Sequence, residues 1–244
     1  MTIVNTFLLR LYYRTRTYIL GMETVLIPII IALVVAFTPK VKYVAQILGT
    51  ITHELGHAIV VMPFGGKLKG IKLRLNTEGE AVVSLPRYAF PWYHLLRIVN
   101  LFAGYGAPLY MSLLLYVSVA HKWDIALNVV FALMSIIVLL FIRNWFGLLI
   151  ALSFAAVNAL FIFLLPDYMN AYAITIGVIL LVRGLTDIYD AARWTFKNKL
   201  ERSDFTLASE ELHGSPQLWY ILFCIFHVIV LTALTLLGFH TQLL

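Results

Sequence analysis

Long, almost unbroken hydrophobic stretches separated by short polar or basic segments organise this chain. They run Tyr18–Phe37, Val44–Val61, Ile98–Ala120, Ile125–Ile142, Trp145–Leu165, Met169–Ile188 and Leu218–Gly238. Each approaches the roughly 20 residues that an α-helix needs to cross a bilayer's hydrocarbon core. The pattern predicts an all-α polytopic membrane protein with about seven transmembrane helices, forming a single membrane-embedded domain over residues 1–244. Trp92, Trp123, Trp145, Trp194 and Trp219 fall near the ends of these stretches, where interfacial aromatics belong.

The longest polar interruptions are Pro63–Arg97 and Trp194–Gln217. In the first, Ile71-Lys72-Leu73-Arg74-Leu75 alternates with period two, Asn76-Thr77-Glu78-Gly79-Glu80 reads as a turn, and Ala81-Val82-Val83-Ser84-Leu85 favours extended backbone. This predicts a short β-hairpin after the second helix. Two uses for it are open. It could lie at the interface with apolar side chains toward lipid and Lys or Arg toward headgroups. Alternatively, a strand edge at Gly70, Ile71 and Leu73 could hold an extended substrate by β-augmentation.

Composition agrees with the pattern: 61% of residues are hydrophobic and 12% charged. The net charge of +6 would suggest nucleic acid in a soluble protein, but here the positions of the basic residues explain it. Arg10, Arg14 and Arg16 precede the first stretch, and Lys67, Lys69, Lys72, Arg74, Arg87 and Arg97 follow the second. Arg143 follows the fourth, and Arg193, Lys197, Lys199 and Arg202 follow the sixth. Lys40, Lys42 and Lys122 lie on the other side. Positive charge gathers on the cytoplasmic face, so the N-terminus is expected in the cytoplasm, the C-terminus outside, and the hairpin on the cytoplasmic side. The single Cys224 leaves no intrachain disulfide and no thiolate cluster.

The second stretch contains His53-Glu54-Leu55-Gly56-His57, an H-E-x-x-H motif. On a helix the two histidines share a face and can bind one Zn2+, while Glu54 reaches the metal's water as catalytic base. Ionisable residues in hydrocarbon are costly and point to function. Catalytic zinc takes a third protein ligand. Asp187, near the cytoplasmic end of the sixth stretch, matches the histidines in depth. An i,i+4 ion pair with Arg183 is its alternative role. Asp190 is the reserve candidate, Asp204 falls in the following loop, and His227 and Asn158 read as helix-to-helix hydrogen bonding.

Several segments together resemble the site-2 protease family of intramembrane zinc metalloproteases, in its small branch without a PDZ insertion. They are Thr52-His53-Glu54-Leu55-Gly56-His57-Ala58, the glycine-led Gly65-Gly66-Lys67-Leu68-Lys69-Gly70-Ile71, Ala103-Gly104-Tyr105-Gly106-Ala107-Pro108, Gly184-Leu185-Thr186-Asp187, and Ser203-Asp204 with Pro216 and Trp219. The resemblance implies His53 and His57 as ligands, Glu54 as base, and an Asp of a later helix as third ligand. The larger members' N-x-x-P-x-x-x-L-D-G is absent around Asp187, where Gly184 precedes the acid. Apart from any family, the small residues Ala103, Gly104, Gly106 and Ala107 are expected to let the third helix press against the metal helix.

The expected activity is hydrolysis of peptide bonds of transmembrane protein substrates near the cytoplasmic face, with one Zn2+ per chain, in a plasma membrane and without nucleic acid. A catalytically inactive pseudoprotease acting as a scaffold or chaperone is the alternative. A metal or solute transporter would show repeated halves and broken helices, and neither is evident.

Overall fold

In the computed structural model, residues 24–85, 92–197 and 203–240 are described. Residues 18–23 of the first expected span lie outside them, as do Arg10, Arg14, Arg16, Arg87, Lys199 and Arg202. Among the described residues six helices are long and apolar enough to cross a membrane, and a shorter apolar helix, α1 (Thr24–Phe37), precedes them. The six are α2 (Lys42–Val61), α3 (Trp92–Ala120), α4 (Asp124–Phe141), α5 (Trp145–Ala159), α6 (Met169–Phe196) and α8 (Pro216–His240). A short helix, α7 (Asp204–Leu212), lies between the last two.

The expected spans match these helices, with differences at their ends. α3 starts at Trp92, before the expected Ile98, and takes in Arg97, which pairs with Glu211. α6 continues past Ile188 to Phe196. α5 passes into a π-helical turn at Leu160–Leu164, beside a buried knot in which Asn158 donates to Ser135 Oγ (2.7 Å) and Tyr172 donates to Asn158 (2.5 Å). Asn158 therefore serves as the helix-bonding residue expected.

α3 is the centre of the bundle, packing most extensively against α2 and α6. Small residues make this possible. A Cβ on Gly56 would lie 2.5 Å from Ala103 O and 2.6 Å from the Ala107 Cβ, so α2 and α3 touch backbone to backbone there. Packing, not the hydrophobic effect, drives such association in lipid.

After α2, the chain turns at Gly65 in the left-handed region (φ 79°) and forms the hairpin, β1 (Lys67–Leu73) and β2 (Gly79–Ser84). The strands are antiparallel, with Ile71 opposite Ala81 and Leu73 opposite Gly79. The apolar face of β1 does not point to lipid: Ile71 is 0% and Leu73 2% exposed, in one core cluster with Ile51 and Leu55 of α2 and Val138 of α4. Lys67, Lys69 and Lys72 are exposed. The hairpin thus packs onto the protein through β1, which corrects the expectation that this apolar face turns to lipid. Its backbone can sit beside the metal helix because protein, not hydrocarbon, surrounds it.

Candidate metal centre

The motif helix presents its two imidazoles as the spacing requires, with His53 Nε2 and His57 Nε2 3.2 Å apart. The third donor comes from α7. Asp204 Oδ2 lies 3.4 Å from His53 Nε2 and 3.5 Å from His57 Nε2. Zinc–ligand bonds of 2.0–2.2 Å in a tetrahedron put ligand atoms about 3.3–3.6 Å apart. The residues present therefore fit a zinc ion, with both nitrogens and one carboxylate oxygen converging on a single point.

Space for that ion depends on α3. A Cβ on Gly104 would stand 2.5 Å from His57 Nε2 and 2.6 Å from His53 Nε2, directly against the ligand atoms. One turn earlier, Asn100 fixes the His57 ring. His57 Nδ1 lies 2.8 Å from the Asn100 carbonyl, which can only accept, so Nδ1 carries the proton and Nε2 offers its lone pair. Asn100 Nδ2 donates back to the His57 carbonyl at 2.8 Å. His53 is held edge-on to Tyr105, with centroids 4.8 Å apart.

Asp204 owes its position to the start of α7. Ser203 caps that helix: its hydroxyl accepts from Thr206 N (3.3 Å) while its own N–H donates to Thr206 Oγ1 (2.8 Å). This capping box sets Asp204 as the first helical residue, where the helix dipole favours a carboxylate. Next to it, Phe205 is 1% exposed and stacks on Tyr105 at 5.2 Å. Burial would push the Asp204 carboxyl up. With no metal bound, positive charge on the adjacent His57 and hydrogen bonds from both imidazoles, then protonated at Nε2, outweigh that and hold it well below the ordinary carboxylate range.

Glu54 is buried beside the ligands, and Ala81 N donates to its Oε2 at 2.7 Å. Two further bonds fasten the hairpin to α2: Thr50 Oγ1 donates to Thr77 O (2.8 Å) and Tyr43 OH to Leu75 O (3.0 Å). Gly79 lies against Thr50 and Glu54, where a Cβ would collide with both. The outer edge of β2 thus faces the motif helix.

Of the expected ligands, His53 and His57 come together and Asp187 does not join them. Its carboxylate is paired with Arg183 one turn back, the alternative role open to it from the sequence. The carboxylate beside the imidazoles is that of Asp204. The signal for it was local: Ser203, an N-cap residue, precedes Asp204, and Phe205, Ala208 and Leu212 follow at helical spacing. Asp190 likewise stands outside the cluster. His227 sits in an aromatic nest, its Nδ1 donating to Phe223 O (2.9 Å) and its ring stacked on Tyr110; Gly106 makes room for it.

The expected substrate edge at Gly70, Ile71 and Leu73 is also taken. Ile71 O accepts from Arg143 N at 2.9 Å, and Asn144 bonds both polar groups of Leu73, at 3.1 and 2.6 Å. Gly70 packs against the Arg143 side chain. The connection between α4 and α5 thereby covers the outer edge of β1 through one parallel bridge, Ile71 to Ile142, and the Asn144 side chain.

A family profile described as Peptidase M50B-like matches residues 26–234. No curated protein and no solved structure matches the chain.

Proposed function

The chain belongs to the Peptidase M50B-like family, membrane metalloproteases of the site-2 type, and from that premise we propose that it is a zinc endopeptidase that cuts transmembrane protein substrates within the bilayer. The observation that carries this reading is the triangle of His53 Nε2, His57 Nε2 and Asp204 Oδ2, whose 3.2, 3.4 and 3.5 Å sides are those of a zinc coordination tetrahedron.

His53, His57 and Asp204 would hold one Zn2+. Zinc held there would supply a Lewis acid that acidifies a bound water toward a pKa of ~7. Glu54 takes the proton of the attacking water and delivers it to the leaving amine. Ala81 N–H holds Oε2 of that carboxylate, which orients Oε1 for the proton. Asn100 keeps the His57 ring in the ligating tautomer, and Gly104 leaves the space in which water and substrate carbonyl meet. A peptide must be extended to be cut, and β2, whose outer edge borders Glu54, is better placed than β1 to align it.

The hairpin, the Ile142–Asn144 connection and α7 gather at one end of the bundle, the end carrying most of the basic loops. By the positive-inside rule this supports cleavage near the cytoplasmic face, with the N-terminus cytoplasmic and the C-terminus outside.

The test is zinc content and cleavage in purified protein. Asp204→Asn should lose zinc and Asp187→Asn should retain it; the reverse would return the ligand role to Asp187. Glu54→Gln should keep zinc and lose cleavage by several orders of magnitude. A biological role that survives Glu54→Gln would instead establish the scaffold reading.

A further inference from the structure

α7 is the weak point of the proposed metal centre. It supplies the one ligand outside the spanning helices, yet it has nine residues, too few to be helical without tertiary support. Phe205 anchors its first turn among Tyr105 and Phe223. Its last turn is held by a different device. Arg97 of α3 donates from Nε and Nη2 to both carboxylate oxygens of Glu211, at 2.5 Å each. Asp204, Ala208 and Glu211 follow at the i, i+4, i+7 spacing of one helix face, and Ala208 is buried. Docking Glu211 on α3 therefore aims Asp204 at the imidazoles.

The same arginine reaches the other ligand. Arg97 Nη1 lies 3.5 Å from Asn100 Oδ1, and Asn100 makes both bonds that fix His57. Arg97 and Asn100 stand at i,i+3 on α3, so one guanidinium borders the residue that orients His57 and the helix that carries Asp204.

We propose that the Arg97–Glu211 pair is a positioning clasp that completes the metal site by docking α7. The proposal rests on the reading of His53, His57 and Asp204 as zinc ligands. With the clasp open, Asp204 swings with a loosely held α7 and the ion keeps only its two histidines. Bidentate geometry separates this pair from the exposed ion pairs that contribute little.

The test uses the full chain in detergent or nanodiscs, with Zn2+ affinity measured by competition against a chromophoric chelator and Co2+ absorption reporting coordination number. Arg97→Gln and Glu211→Gln should each weaken zinc binding about 10–100-fold, the range for residues that orient metal ligands. Both should shift the Co2+ bands while helical circular dichroism stays as in the parent. The double variant should lose no more than the worse single one, because the two side chains act as a unit. Glu210→Gln, removing the neighbouring exposed charge, should leave affinity unchanged. Parent-like affinity in both single variants, losses that add in the double, or an equal loss in Glu210→Gln would each overturn the clasp while leaving the zinc site standing. A parent protein that binds no zinc would overturn both.

Discussion

Gly104 acts by lacking a side chain. Its Cα hydrogen faces Nε2 of His53 and His57, and a methyl there would take the volume the proposed ion needs. Gly104→Ala should therefore lower zinc affinity at least about tenfold by displacing a ligand or the ion. Gly177→Ala on α6, where the nearest atom to a new Cβ is 3.7 Å away, should be silent. Metal content of the two purified variants decides this, and a zinc-replete Gly104→Ala would refute the steric account. Arg183 and Asp187 show the opposite case. Two charges close to the site satisfy one another across a helical turn, and their value is tolerance of burial near an interface.

Among the elements, the hairpin has a role that its alternation alone did not disclose. It is clamped on both edges, β1 by the α4–α5 connection and β2 by α2, so it is a fixed wall of the site. Ala81 N–H points outward from the strand pair and donates to Glu54, not to β1. Ala81→Pro should thus leave the ladder between the strands whole while removing this donor. A hydrogen bond to a charged group contributes about 1.5–3 kcal/mol. If it orients the base, cleavage should drop about tenfold or more with zinc content unchanged. Unchanged cleavage would mean that Glu54 is positioned by packing alone.

For the whole molecule, helices that alternate in direction bring the loops after α2, α4 and α6 to one end, although they are distant in sequence. Basic residues in those loops predict that this end is cytoplasmic. In a Cys224→Ser background, Lys122→Cys should react with an impermeant maleimide in intact cells, and Lys69→Cys only after permeabilisation. Both positions are exposed. Labelling in the opposite sense would invert the molecule and move the proposed cleavage to the outer face.

Sequence alone determined the spanning helices, the hairpin and the trio His53, Glu54 and His57. Each depends on a short-range period: apolar runs of bilayer length, alternation at two, and imidazoles one helical turn apart. Close packing of α3 on α2 was legible for the same reason, since small residues at Gly56, Ala103 and Ala107 declare themselves locally. Tertiary structure alone decided which carboxylate meets the imidazoles and what each strand edge of the hairpin pairs with. Asp187 and Asp204 were both acids near the same end of α6, and depth favoured the first. Arg183, within the same helix, claims Asp187, whereas Ser203, Phe205 and the Arg97–Glu211 pair turn a presumed loop back onto α3. Contacts between residues far apart in the chain leave no period to read, so the carboxylate beside the imidazoles and the closed edge of β1 emerge only when the helices are packed.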